Sequence, residues 1–203
     1  MQDIYASMSD FGRILGALFY YPPSETQNLP LLEFFQTEDW QTDVDFLPSD
    51  TLAQIQQCFD KTADLERLNE QYQTLFIGPN ALPAPPWGSV YLDKEAVIFG
   101  SSLLELREFM QQNQIGLALS SNEPEDHFGL MLMLLAYLAE NQPHLLQEYL
   151  TQHLLPWSTR FLTLLAEQSE SDFYAGLGLL SGALLNHWQQ RMSLSVKEMP
   201  LYR

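Results

Sequence analysis

The chain has 203 residues, 46% hydrophobic and 12% aromatic, which is enough to bury a core and too apolar for a disordered segment. Its 26 acidic against 9 basic residues give a net charge of -17, a field that repels nucleic acid and anionic membrane surface. Two readings of that charge stay open, solubility alone or attraction of a cationic partner, and the single cysteine, Cys58, excludes an internal disulfide.

The amino-terminal stretch carries Asp3 and Asp10 and no basic run, which does not suit a secretory leader. Apolar residues recur at Ile4, Met8, Phe11, Leu15, Leu18 and Phe19, a helical stripe that stops at Tyr21 before Pro22-Pro23. Pro30 suits the first turn of a helix over "PLLEFFQ". A further helical region begins near Ser49, with Leu52, Ile55, Cys58 and Phe59 on one face, and Cys58 reads as a small core residue in a reducing compartment. The helical pattern resumes after Asp60 through Leu65, Leu68, Tyr72, Leu75 and Phe76.

Residues 78–100 then break the pattern with Pro79, Pro83, Pro85 and Pro86, and read as one long irregular connection. Beyond it, Ser102 and Glu105 have capping-box spacing and open a helix through Phe109 and Met110; Asn122 and Glu125 repeat that spacing, with Pro124 tolerated in a first turn. The helix that follows, "FGLMLMLLAYLA" from Phe128, is the most apolar and the expected centre of the fold, yet it is too short to cross a bilayer. Helices over Pro143 to His153 and Trp157 to Gln168 precede a last one, "DFYAGLGLLSGALLNHWQQRM", whose Gly176, Gly178 and Gly182 predict close approach of a neighbouring helix. Only "SVYL", "AVIF" and "IGLALS" carry any strand character. The expectation is an all-α single domain, a helical bundle with amino-terminal helices over 1–77, a Pro-rich loop over 78–100 and carboxy-terminal helices over 101–203. A cytoplasmic location is what exclusion leaves.

Two motifs carry candidate chemistry. In the loop, prolines fix extended backbone, so Trp87, Tyr91 and Phe99 either line a groove or pack the two halves of the molecule together. In "NEPEDHFG", Glu123, Glu125, Asp126 and His127 sit where carboxylates complement the positive end of a helix dipole. Asp126 and His127, at the mouth of an apolar face, form either a cation-binding pair or a satisfied buried couple. No phosphate-binding glycine loop, zinc-protease helix or nucleophile elbow is present, and the four histidines are scattered, so neither catalytic residues nor a metal or other cofactor is expected.

At "YQTLFIGPNALPAPPWGSVYLDKEAVIFG", then "NEPEDHFG", then "HLLPWSTRFL", the chain resembles the TorD/DmsD family of redox-enzyme maturation chaperones over nearly its whole length. The resemblance implies an all-helical chaperone, not an enzyme. Its partner would be the twin-arginine signal peptide of a molybdoenzyme catalytic subunit, dimethyl sulfoxide reductase in the first instance, retained until folding and cofactor insertion are complete. Carried over by motif, the peptide-binding residues are Tyr72, Leu75 and Phe76 before the loop, Pro86, Trp87 and Tyr91 within it, and Glu123, Asp126 and His127 in the second motif. Asp126 and Glu123 would take the arginines while the rings cover the apolar part. Contact with the twin-arginine translocase, a monomer with a swapped dimer as alternative, and no nucleic acid or stable membrane insertion complete the expectation. The rivals are an assembly chaperone of another molybdoenzyme such as nitrate reductase, and, in a different class, a nucleotide-hydrolysing enzyme. At Tyr72, Tyr91 and Asn80 the chain departs from the better-known members, which carry tryptophan at the first two and an aromatic residue at the third.

Overall fold

The computed structural model describes residues 2–37, 39–116, 122–168, 171–196 and 198–203. Helix α1 spans Gln2–Tyr20, α2 Leu29–Gln36, α3 Ser49–Phe59 and α4 Leu65–Tyr72, the last continuing as a π-turn over Gln73–Ile77. The five-residue α5, Gly88–Leu92, is followed by α6, Ser101–Gln112, and α7, Phe128–Asn141. A nearly continuous helical run then passes through α8, Leu146–Tyr149, and a π-turn into α9, Leu155–Gln168, and α10 spans Asp172–Arg191. All-helical architecture with a central apolar helix is thus observed among the described residues. "IGLALS" falls mainly outside them, and "SVYL" is helical, lying in α5.

Helix α7 is central because nearly every side in it is apolar, so it must be covered all round. Helix α1 lies closest to it. A Cβ on Gly12 would come within 2.7 Å of the Leu132 carbonyl oxygen, and one on Gly16 within 2.8 Å of that of Gly129. Glycine spacing on α1, one turn apart, therefore sets how near the two backbones can lie. On α10 the expectation is met only in part: a Cβ on Gly176 would stand 2.7 Å from the Phe59 ring, whereas one on Gly178 or Gly182 would meet nothing nearer than 3.5 or 3.9 Å. Helix α10 packs against α9 and α3, and α5 against α6 and α9.

Helix ends explain the turns. The buried Asn28 amide closes the end of α1, donating to the Ala17 oxygen in its last turn at 3.4 Å and to the oxygens of Tyr21 at 2.9 Å and Pro22 at 3.1 Å just beyond it. Neither expected capping box forms. At α6 the cap comes from outside the helix: the Asp93 carboxylate accepts from Ser101 N at 2.8 Å and Ser102 Oγ at 2.7 Å, and also from Ser101 Oγ. At α7 the helix starts six residues beyond Asn122, and His127 is the N-cap, its Nδ1 accepting from Gly129 N at 3.1 Å. Local spacing had suggested a cap at Asn122, but the chain there crosses to the loop before it coils.

Candidate functional site

The structure joins the two motifs. Trp87 and His127 form an isolated antiparallel bridge: Phe128 N donates to the Pro86 oxygen at 2.7 Å, and Gly88 N to the Asp126 oxygen at 3.2 Å. Prolines 83, 85 and 86 hold the loop extended ahead of the bridge, and α5 begins directly after it. The Asp126 carboxylate continues the connection, its Oδ2 accepting from Ser89 N at 2.7 Å in the first turn of α5. Residues 78–100 are consequently not one irregular connection: α5 is a packed helix within them.

Most of the expected site residues support this junction from inside. Tyr91 is fully buried, stacked on Trp157 with centroids 5.5 Å apart and planes 24° apart. Leu75, Phe76 and Tyr72 are buried too; Tyr72 donates its hydroxyl hydrogen to the Tyr20 oxygen at 2.7 Å and lies 5.3 Å from the Phe76 ring. Pro86 is buried at the bridge. Gly88 meets the Trp157 indole so closely that a Cβ would stand 2.8 Å from its Nε1. Burial leaves these side chains no free face in this structure.

Trp87 and Glu123 are the members that reach solvent. Both are half-buried, and the indole Nε1 donates to Glu123 Oε1 at 2.6 Å. The Trp87 ring stands edge-on to His127 at 6.1 Å, and the Tyr20 ring packs edge-on to the same imidazole at 5.4 Å. Tyr72 lies near the same carboxylate: burial, then the Glu123 charge, push its phenol above the usual range. Phe99, by contrast, is 60% exposed at the far end of the loop, with the Arg107 guanidinium 6.0 Å from its ring. Arg107 in turn pairs with Glu125 at 2.7 Å, so that carboxylate ties α6 to the start of α7.

Asp126 and His127 form a buried pair of neighbours with separate partners. Burial pushes the Asp126 carboxyl up against the bond from Ser89 N, and the remaining oxygen, Oδ1, has no hydrogen-bond partner. Burial holds His127 down at about 3, so it is neutral near pH 7, as its accepting Nδ1 requires. At 4% exposure the Asp126 carboxylate faces inward and holds α5, and it presents no open acceptor at the surface. Among the described residues no three His, Cys, Asp or Glu side chains converge on a metal position, and no helix is long and apolar enough to cross a membrane.

Sequence reasoning passed over Ser89, Trp157 and Tyr20. The signal for Trp157 was present in "HLLPWSTRFL", but its partner Tyr91 lies far away in the chain.

The "Nitrate reductase delta subunit" family model matches residues 47–163. A Haemophilus influenzae protein named "Probable Tat proofreading chaperone DmsD" is 47% identical over 204 residues, covering 100% of both chains. The chain belongs to the TorD/DmsD family of redox-enzyme maturation chaperones. Within this family, the Salmonella typhimurium "Tat proofreading chaperone DmsD" is 45% identical, over 94% of this chain and 93% of its own, and "Chaperone protein TorD" of a Shewanella strain is 27% identical over 91% and 93%. These names describe chaperones rather than catalysts. A solved protein from Archaeoglobus fulgidus, named "Putative Redox Enzyme Maturation Protein", shares the fold, with a TM-score of 0.52 at 20% identity over 95% of this chain and 94% of its own.

Proposed function

We infer that this protein is a proofreading chaperone that binds the twin-arginine leader of a molybdoenzyme catalytic subunit, a dimethyl sulfoxide reductase, until folding and cofactor insertion are complete. On this reading it acts in the cytoplasm as a monomer, before the leader meets the translocase. The observation that carries it is the junction of the two motifs, which sets a carboxylate and an indole side by side at a half-open surface. Kinship over the whole chain with proteins named as Tat proofreading chaperones supports the same reading.

A leader of this type presents two adjacent guanidinium groups ahead of an apolar stretch. Glu123 receives a guanidinium through a charge-assisted hydrogen bond, which its carboxylate can accept alongside the one from Trp87 because it offers about four lone-pair directions. The flat Trp87 ring gives the planar cation a face to stack on. Tyr72, Leu75, Phe76, Pro86, Tyr91, Asp126 and His127 complete the site by fixing the height and tilt of that surface. The strongly acidic chain draws the basic leader in and makes association depend on salt.

Calorimetric titration with a synthetic twin-arginine leader, and with a twin-lysine version of it, tests the reading. The expected result is tight, salt-weakened binding of the arginine leader and weaker binding of the lysine one, since lysine cannot present a planar fork. Equal binding of both overturns the guanidinium assignment, and binding of neither overturns the leader reading.

A further inference from the structure

An open trench runs along α1, separated from the His127 side of the junction by the Tyr20 ring. Two cavities make it, of about 460 and 710 Å³, and they meet at Arg13, Ile14 and Leu31. The first starts at Tyr21, whose ring lies 4.7 Å from that of Tyr20, the residue that packs on His127. The second ends at Phe34 and Phe46, and Phe46 is 40% exposed. Ile14 and Ala17 on α1, Tyr21 just past its end and Leu31 on α2 are only half-buried, whereas Phe11, Leu15, Leu18 and Phe19 on the side of α1 toward the core are buried. Measured along α1, residues 7 to 21 make fourteen steps of 1.5 Å, a floor of about 21 Å, which matches an apolar helix of about fourteen residues.

The charge of the trench selects its occupant. Arg13, the one basic residue among the described residues lining it, pairs with the Glu140 carboxylate at 2.5 Å. Asp10 and Asp43 rim the wider end, both exposed. An apolar floor beside exposed carboxylates suits an apolar helix with basic flanks and disfavours one with acidic flanks.

We propose that this trench seats the apolar segment of the leader as a helix lying along α1, while the arginines stay at the Trp87–Glu123 junction beside Tyr20. The inference rests on the leader reading above and deepens it. It relieves the difficulty that Leu75, Phe76 and Tyr91 are buried: the apolar part of the ligand goes where half-exposed apolar surface exists, reached from Trp87 through the His127 and Tyr20 rings.

The test uses the full chain and a leader carrying a photo-reactive phenylalanine in its apolar segment. The expected crosslinks fall on α1, α2 and the Phe46 region, and an Ile14→Asn, Leu31→Asn double variant loses at least tenfold in leader affinity. A short peptide with the arginine pair and no apolar segment binds the variant and the unaltered protein alike. Crosslinks confined to residues 75–92, or an unchanged affinity in the double variant, overturn the proposal while leaving the leader reading standing. A concentration-dependent dimer that the double variant abolishes, with leader binding intact, assigns the trench to a second copy and equally overturns it. No leader binding by the unaltered protein removes the leader reading itself, and this inference with it.

Discussion

The junction of Trp87 with His127 and the open face of α1 are one aromatic ring apart and are built on opposite terms. At the junction, groups that look reactive in sequence are consumed by structure: Asp126 holds the first turn of α5, His127 caps α7, and Tyr91 is stacked on Trp157. On α1, ordinary aliphatic residues lie half-exposed beside the exposed carboxylates of Asp10 and Asp43. The difference teaches that an acidic, aromatic motif can be scaffold while the bland surface beside it is what a ligand can touch.

Acidification breaks the junction first. His127 and His153 are held by burial at about 3 and about 4, below the ordinary value of 6.5. Their folded forms therefore resist protonation that the unfolded chain accepts, and stability falls as pH drops below 6.5, by up to about 1.4 kcal/mol per unit for each. This loss runs down to about pH 3 for His127 and about pH 4 for His153. Asp126 acts the other way, because its raised carboxyl takes up a proton in the folded state before the unfolded one and so offsets part of the loss. Urea unfolding at pH 7 and pH 5 is expected to show a marked drop, halved in His127→Asn, since asparagine keeps a capping acceptor but does not titrate. A flat profile between those values contradicts a buried neutral His127.

The next effect is steric. Gly88→Ala drives a methyl group into the Trp157 indole and is expected to cost about 1–3 kcal/mol, with leader affinity falling as α5 shifts. Ile14→Asn on the open face is expected to change stability by no more than about 0.5 kcal/mol, because that side chain is already partly wet. Thermal melts of the two variants side by side sharpen the contrast, and equal losses erase it.

The helices were legible in the chain where apolar period and punctuation agree: α1 ends at Pro22-Pro23 as its stripe ends, and α10 spans the predicted segment. Where α7 begins was not legible. Asn122 and Glu125 satisfy a local capping pattern, but a turn over residues 125–126, closed by His127 N on the Pro124 oxygen at 3.1 Å, and the pairing of Asp126 and Phe128 with Gly88 and Pro86 delay the helix until Phe128. Spacing likewise pointed to the glycines of α10, yet the tightest backbone approach is at Gly12, Gly16 and Gly129, where two glycines one turn apart on an apolar helix were the available signal. The site residues were gathered by motif, and the structure does bring them together. What sequence could not give is which way each faces, because burial of Asp126 depends on Ser89 and on packing of α5 against α9.

Leader titration of Glu123→Gln and Asp126→Asn in parallel tests the division between receptor and scaffold most directly. The expected result is a loss of roughly tenfold to a hundredfold for Glu123→Gln, equivalent to about 1.4–2.7 kcal/mol of charge-assisted bonding, and a change within about threefold for Asp126→Asn, whose amide oxygen can still accept from Ser89 N. The reverse pattern, with Asp126→Asn abolishing binding in a fully folded protein and Glu123→Gln leaving it intact, contradicts that division.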